Sequence, residues 1–374
     1  MICSPAKSRQ HGLSLVELLI ALFMGLMIVL AVISLYLANK NSFLYQETNS
    51  RLLEDGRFIV DTIAYDLRNA SYSGCGVVST TTNVVTGFDA NWTIDNRNMI
   101  RGFNETTGFP AEFVAAAAQG DVLIVMYRDS ESELEISAHD VINHRITLGA
   151  NHAFAKGEIL YGTDCKRDAV FQMSGPDSAG TPTNLVEHAA GLTSPGNCQG
   201  ELGTSCGITP VTAYTFSAGG FLSRLISKAY FVAPASSGTG NSLYVRSPTG
   251  STTATATNIE LMTDVQAMRI RYGLDLDCDG VSDRFASANE VAATPLCNPD
   301  QSSPWQLVVS ARIEVLLLGQ PGVTSENQPF CLDYLGTGDP AQCTAANYGY
   351  VFTTSNREAG RVFSTTVALR NRVG

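Results

Sequence analysis

The chain is 374 residues long, 44% hydrophobic and 16% charged, with a formal net charge of −11 at pH 7. That length suits one large or two modest globular units, and the composition excludes disorder on the whole-chain scale. The acidic balance argues against broad nonspecific nucleic-acid binding and leaves only a local basic patch to look for.

The first element is an apolar run from Gly12 to Ala38, preceded by Lys7 and Arg9 with no acidic residue upstream. No charge stands between Leu18 and Ala38, so the run is long enough to cross a bilayer's hydrocarbon as a helix. The basic flank holds the short N-terminal segment on the cytoplasmic side and sends the C-terminal bulk across. An ordinary secretory signal would place a small-residue cleavage site after the run, where Tyr36-Leu37-Ala38-Asn39-Lys40-Asn41 is a poor one. Glu17 is the anomaly. A carboxylate in the bilayer costs about 2.5–3.5 kcal/mol on insertion scales, so it needs a partner or a function.

The string Gly12-Leu13-Ser14-Leu15-Val16-Glu17 resembles the class III signal of type IV prepilins. The resemblance implies cleavage after Gly12 by a prepilin peptidase, N-methylation of the new terminus at Leu13, and an assembly role for Glu17 as the fifth mature residue. Leu13 departs from the phenylalanine commoner at the first mature position. In a filament of stacked helices the α-amino group of Leu13 on one subunit can meet Glu17 of a neighbour, and an opposite charge offsets the cost of burying the carboxylate. The corresponding division of the chain is a leader over 1–12, a transmembrane and assembly helix over 13–38, an amphipathic continuation over 39–71 and a β-rich globular domain over 72–374.

The helical pattern continues past Lys40. Phe43, Leu44, Leu52, Leu53, Ile59, Ile63 and Leu67 keep one apolar face, while Glu47, Arg51, Glu54, Asp55, Asp61 and Arg68 can stay wet. One helix is therefore expected from about Leu13 to about Ala70, with its outer half lying on a sheet. Gly56 is a weak point inside it, costing about 1 kcal/mol relative to alanine. Ser71-Tyr72-Ser73-Gly74-Cys75-Gly76 ends the helix. The passage Gly56 to Ala70 with Tyr72 and Gly74-Cys75, together with the ending Thr365-Thr366-Val367-Ala368-Leu369-Arg370-Asn371-Arg372, resembles the PilW family of minor pilins. The resemblance is strong at both ends and weak from about residue 77 to about 255.

Residues 77–120 read as a long decorated loop anchored by Trp92 and Phe103. Strand-like runs follow at Asp121–Arg128, Val141–Leu148, Glu158–Gly162 and Ala169–Met173, then loops over 174–220, then strands at Leu225–Ala233 and Ser242–Arg246. Val265–Tyr272, Leu307–Leu318 and Val362–Leu369 are long enough to form a central antiparallel sheet, with apolar residues alternating against Arg269, Arg271, Arg312 and Glu314.

Of nine cysteines, Cys3 lies in the leader, and eight remain in an exported domain, where disulfides are the default. Sequence proximity suggests Cys198 with Cys206, Cys278 with Cys297 and Cys331 with Cys343, leaving Cys75 for Cys165; this is one pairing among about a hundred. Between the second pair, Asp275-Leu276-Asp277-Cys278-Asp279-Gly280-Val281-Ser282-Asp283 carries carboxylates at positions 1, 3, 5 and 9 of an EF-hand-like loop, with glycine at 6. Alternate oxygens of this kind converge on a hard cation, and the Val281 carbonyl can add a ligand, so Ca2+ is the one cofactor expected. Ala286 stands where the full loop has its bidentate glutamate, and Glu290 is the candidate substitute. The alternative is a solvated acidic hairpin tip. The histidines His11, His139, His144, His152 and His188 fall in no metal-ligand spacing, and no G-x-S-x-G, Walker or G-x-G-x-x-G string occurs, so catalysis is disfavoured. Arg269, Arg271, Arg312, Arg370 and Arg372 could share one sheet as a basic patch; the alternative is solvated strand faces with local salt bridges.

The expected fold is α+β and pilin-like: a long N-terminal helix packed on an antiparallel β-sheet with long loop insertions. The resemblance implies a minor pilin that joins other minor pilins and the major pilin to initiate or cap a type IV pilus, supporting twitching motility, adhesion or DNA uptake. It implies prepilin peptidase, the inner-membrane assembly platform and the membrane as partners, and single-pass residence in a bacterial inner membrane before assembly into the pilus. Two other readings are a type II secretion minor pseudopilin and a pilus-tip adhesin whose insertions engage a surface.

Overall fold

The computed structural model describes residues 14–72, 74–75, 81–88, 91–104, 109–110, 113, 120–176, 183–191, 194–248, 256–299, 301–336 and 339–369. Gly12, Leu13, Arg370 and Arg372 lie outside these residues. Among the described residues the elements in chain order are α1 (Leu15–Asn69), β1 (Thr81–Asn83), β2 (Ile100–Phe103), β3 (Val122–Arg128), β4 (Leu134–Asp140), β5 (Arg145–His152), β6 (Ile159–Thr163), β7 (Asp168–Gln172), β8 (Thr183–Glu187), β9 (Phe221–Pro234), β10 (Asn241–Pro248), β11 (Ala256–Thr263), β12 (Val265–Leu274), β13 (Arg284–Ala286), α2 (Ala288–Ala292), β14 (Val308–Leu318), β15 (Pro329–Tyr334), β16 (Tyr348–Thr353) and β17 (Gly360–Ala368).

Helix α1 runs unbroken for 55 residues, about 80 Å at 1.5 Å per residue. Ser14 starts it, its hydroxyl accepting the Glu17 amide at 3.2 Å; Arg68 in the last turn suits the negative end of the helix dipole. Its first buried residue is Thr48. Leu52, Gly56, Ile59, Ile63 and Leu67 follow at spacings of three and four, all buried. Phe43, expected on this face, is 65% exposed, because the helix has not yet reached the sheet at that level. Gly56 is a point of close approach: a Cβ there would sit 2.3 Å from the ring of Phe363 on β17. The missing side chain lets helix and sheet touch, which offsets the helix propensity it lacks.

The sheet beneath α1 is four-stranded and antiparallel in the order β13-β12-β14-β17, as the alternation over 265–272, 307–318 and 362–369 predicts. Register places Ile270 opposite Ile313 and Val315 opposite Phe363, on the face that forms one core with Ile59, Ile63 and Leu67. The opposite face carries Arg269, Arg271, Arg312 and Glu314, and the β15–β16 hairpin lies over it.

The larger sheet has eleven strands and is organised on β9, which is 14 residues long. Its first part pairs with β4 and β6, its second with β3 and β10. Beyond these lie β7 with the parallel β1 on one side and β5 with β8 on the other. Two further cores fill this sheet, one around Trp92, Phe113 and Phe231, the other around Phe171, Phe216 and Leu222.

Several expectations are corrected here. The described residues of 77–120 contribute β1 and β2 and, beside the expected anchors Trp92 and Phe103, the buried Ile94 and Phe113, so they are packed structure rather than loop. The strand expected at Val141–Leu148 begins only at Arg145, as β5; residues 141–144 are the turn that joins it to β4. The span 174–220 contains β8. Strands β11, β13, β15 and β16 and the short helix α2 had no clear periodic signal. Disulfides join Cys75 to Cys165, Cys198 to Cys206, Cys278 to Cys297 and Cys331 to Cys343, the partners that proximity suggests.

Candidate functional site

Two regions carry the residues singled out by the sequence, and they lie on different elements. The first is the free half of α1. Every side chain from Leu15 to Phe43 is exposed, including more than a dozen large apolar ones, and the helix is long and apolar enough to cross a membrane. Such an all-round apolar helix suits a membrane or a bundle of other helices better than water. Glu17 stands exposed in its first turn, one residue before the uncharged stretch begins. The cleavage and methylation positions Gly12 and Leu13 fall outside the described residues.

The second region is the connection from β12 to β13, residues 275–283. Asp275, Asp277 and Asp283 each bring a carboxylate oxygen within 4.8 Å of the others, Asp275 buried and the other two exposed. Backbone amides organise the loop: Asp275 accepts from Asp279 at 3.1 Å and Gly280 at 2.8 Å, and Asp283 accepts from Leu276 at 2.7 Å. Cys278 and Gly280 adopt positive φ, 64° and 85°, which makes the tight turn, and the Cys278–Cys297 bond ties it to the segment beyond α2. Desolvation raises the Asp277 carboxyl above its ordinary range; the Asp279 amide opposes this, while the charges of Asp279, Asp283 and Asp275 add to it.

Two expectations about the loop are revised. Asp279 does not join the three-carboxylate group; its Oδ1 accepts the Val281 amide at 2.8 Å. Glu290 is engaged elsewhere, accepting from the Ser287 amide at 2.6 Å as the capping residue of α2 and from Arg271 at 3.1 Å.

The described arginines of the suggested basic patch are neutralised. Arg269 pairs with Asp121 at 3.2 Å, Arg271 with Asp333 and Glu290, and Arg312 with Glu314. Asp66 was missed by sequence reasoning. It is 1% exposed and accepts from Tyr127 at 2.8 Å, from Lys228 at 2.9 and 3.0 Å, and from Tyr230, binding α1 to β3 and β9. Its phase was available as a signal, since Asp66 falls three residues after Ile63 on the apolar face.

An apolar helix that continues onto an antiparallel sheet, beside a second, disulfide-stapled sheet, defines an α+β protein led by a helix of membrane-spanning length. Residues 229–371, from the middle of β9 past the end of β17, match the family described as Type IV Pilus-assembly protein W, or PilW. That segment, which holds the four-stranded sheet and the acidic loop, is what the chain shares with that family. A type IV-like pilin from Thermus thermophilus is similar in structure, at 11% identity and a TM-score of 0.35, over 86% of this chain and 98% of that one. No curated protein matches the sequence.

Proposed function

We propose that this chain is a minor pilin: it is cleaved after Gly12 by prepilin peptidase, methylated at Leu13, and assembles with other minor pilins and the major pilin to initiate or cap a type IV pilus. Its role is structural rather than catalytic, and before assembly it resides in the bacterial inner membrane with its globular domain in the periplasm. The observation that carries the reading is the conjunction of the PilW match with a helix whose exposed apolar half needs neighbours. In that setting Glu17 receives the α-amino group of an adjacent subunit. Intact mass and N-terminal analysis of membrane protein from cells with and without prepilin peptidase tests the first step, and an uncut Met1 terminus in both refutes it. Glu17→Ala is expected to leave processing intact and to reduce incorporation into pili; normal incorporation removes the charge-pairing role.

The Asp275–Asp283 loop is proposed to take Ca2+. Asp275, Asp277 and Asp283 supply a hard-oxygen donor set around a glycine turn, and bound cation would relieve their mutual repulsion. A second reading of the whole, a tip adhesin, draws support from the tip of the β4–β5 hairpin, where Ile142 is 89% exposed. Ile142→Asp with normal piliation and lost attachment favours that reading; unchanged attachment counts against it.

A further inference from the structure

Three of the five histidines, unremarkable in sequence, meet in the larger sheet. His139 lies on β4, His144 in the β4–β5 turn, and His188 one residue past the end of β8. The His139 and His188 Nε2 atoms are 3.0 Å apart. At the outer ends, the Phe216 amide donates to His139 Nδ1 at 3.0 Å, and His188 Nδ1 lies 2.9 Å from the Gly200 carbonyl.

These backbone anchors fix every proton. His139 Nδ1 faces an N–H, so it must offer its lone pair, and a neutral His139 then carries its proton on Nε2. His188 Nδ1 faces a carbonyl, so it must be the N–H, which leaves His188 Nε2 as the acceptor for His139. The relay therefore has one polarity: Phe216 to His139 to His188 to Gly200. It admits no metal as it stands, because ligation through His139 Nε2 would require a proton on Nδ1, opposite the Phe216 amide. It also admits no additional proton. A proton on His139 Nδ1 would oppose the Phe216 N–H, and one on His188 Nε2 would oppose that of His139.

We propose that this relay is an acid-sensitive latch, which ties the 197–216 segment to the β4–β5 hairpin while both rings are neutral and releases it when either ring is protonated. Gly200 and Phe216 stand near the two ends of that segment, which also holds the Cys198–Cys206 bond and the exposed Ile208 and Val211. Release would remove the histidine bonds at Gly200 and Phe216 and loosen the segment there, while Tyr214 and Ser217 still donate to Asp164 and the strands stay closed.

The surroundings oppose charge on either ring. Burial pushes His139 down to about 4, with Asp140 opposing and His144 adding to the shift. Burial, then His139, pushes His188 down to about 3, with the Gly200 carbonyl opposing and His144 again adding. Phe171 of β7 and Phe216 present apolar rings to them. The nearby charges are otherwise engaged: Arg145 of β5 pairs with Glu187 of β8 at 2.7 Å, and Asp164 accepts from Tyr214 and Ser217. Because the folded-state values lie below the unfolded one, the latch contributes fully above the unfolded value and is lost as pH falls from about 6.5 through about 4.

The test uses the full chain in detergent micelles with 15N-labelled histidine. At pH 7 His139 should show the Nε2–H tautomer and His188 the Nδ1–H tautomer, both still neutral at pH 5. Exchange of the Phe216 amide, corrected for its intrinsic pH dependence, should accelerate about a hundredfold between pH 7 and pH 4 from His139 alone. His139→Gln, which keeps an acceptor and a donor but does not titrate, should lose most of that acceleration. Identical tautomers, titration near the ordinary histidine value, or acceleration below about tenfold overturns the proposal. If His139→Gln fails to fold, the parent protein's tautomers and titration still decide.

Discussion

Replacing Asp66 with alanine tests whether α1 is held to the body by apolar contact alone. The carboxylate is 1% exposed and receives two tyrosine hydroxyls and the Lys228 ammonium. Burial first, and then the Asp66 charge, raises the ionisation of Tyr127 and Tyr230 far above the ordinary tyrosine value, so both remain donors at any working pH. Removing one partner of a buried ion pair costs about 3–5 kcal/mol. The Lys228 side chain is 30% exposed and can recover hydration, which places Asp66→Ala near the lower end, about 3 kcal/mol. Tyr230→Phe alone removes one bond to a charged acceptor, about 1.5–3 kcal/mol. The double variant should be less destabilised than the sum, because Tyr230 no longer leaves an orphaned hydroxyl when Asp66 is gone. Urea unfolding of the full chain in detergent, with disulfides intact, gives the four stabilities of the cycle. A loss below about 0.5 kcal/mol for Asp66→Ala, or strict additivity, would refute the reasoning.

Gly56→Ala should destabilise by about 1–2 kcal/mol despite its gain in helix propensity, because overpacking against Phe363 outweighs it; Phe363→Leu should restore much of the loss, and a stabilised single variant in the same urea assay would contradict the close-approach argument. In the acidic loop, Asp277→Ala should abolish a calcium-dependent rise in melting temperature and Asp279→Ala should only reduce it; absence of any rise in the parent protein removes the metal site. Burial raises Asp168 to about 6 against hydrogen bonds from Thr163 and Tyr161. Its folded-state value lies above its unfolded one, so this contribution is present below about 4 and is lost as pH rises through about 6. Asp168→Asn should flatten that decline in urea midpoints taken from pH 4 to pH 7, and an unchanged slope counts against it.

What could be read from the sequence was local periodicity, and what could not was long-range pairing. The helix and β12, β14 and β17 were legible because their apolar residues repeat at periods near 3.6 and 2 over many residues. β4 and β8 were not: β4 alternates over only Leu134, Ile136 and Ala138 and its register shifts after Ile136, β8 has only Leu185 and Val186 as apolar residues, and α2 is only five residues long. Cysteine spacing suggested the disulfide partners, yet nothing in the same segments announced that His139 and His188, 49 residues apart, would meet. That meeting depends on the registers of β4 with β5 and β5 with β8, each broken by an irregularity that no sequence period records. The same logic explains Asp279: its place in the motif is correct by spacing, but the backbone turns its carboxylate to the next available amide. Spacing proposes which residues can converge, and the local hydrogen-bond demand of the turn decides which of them do.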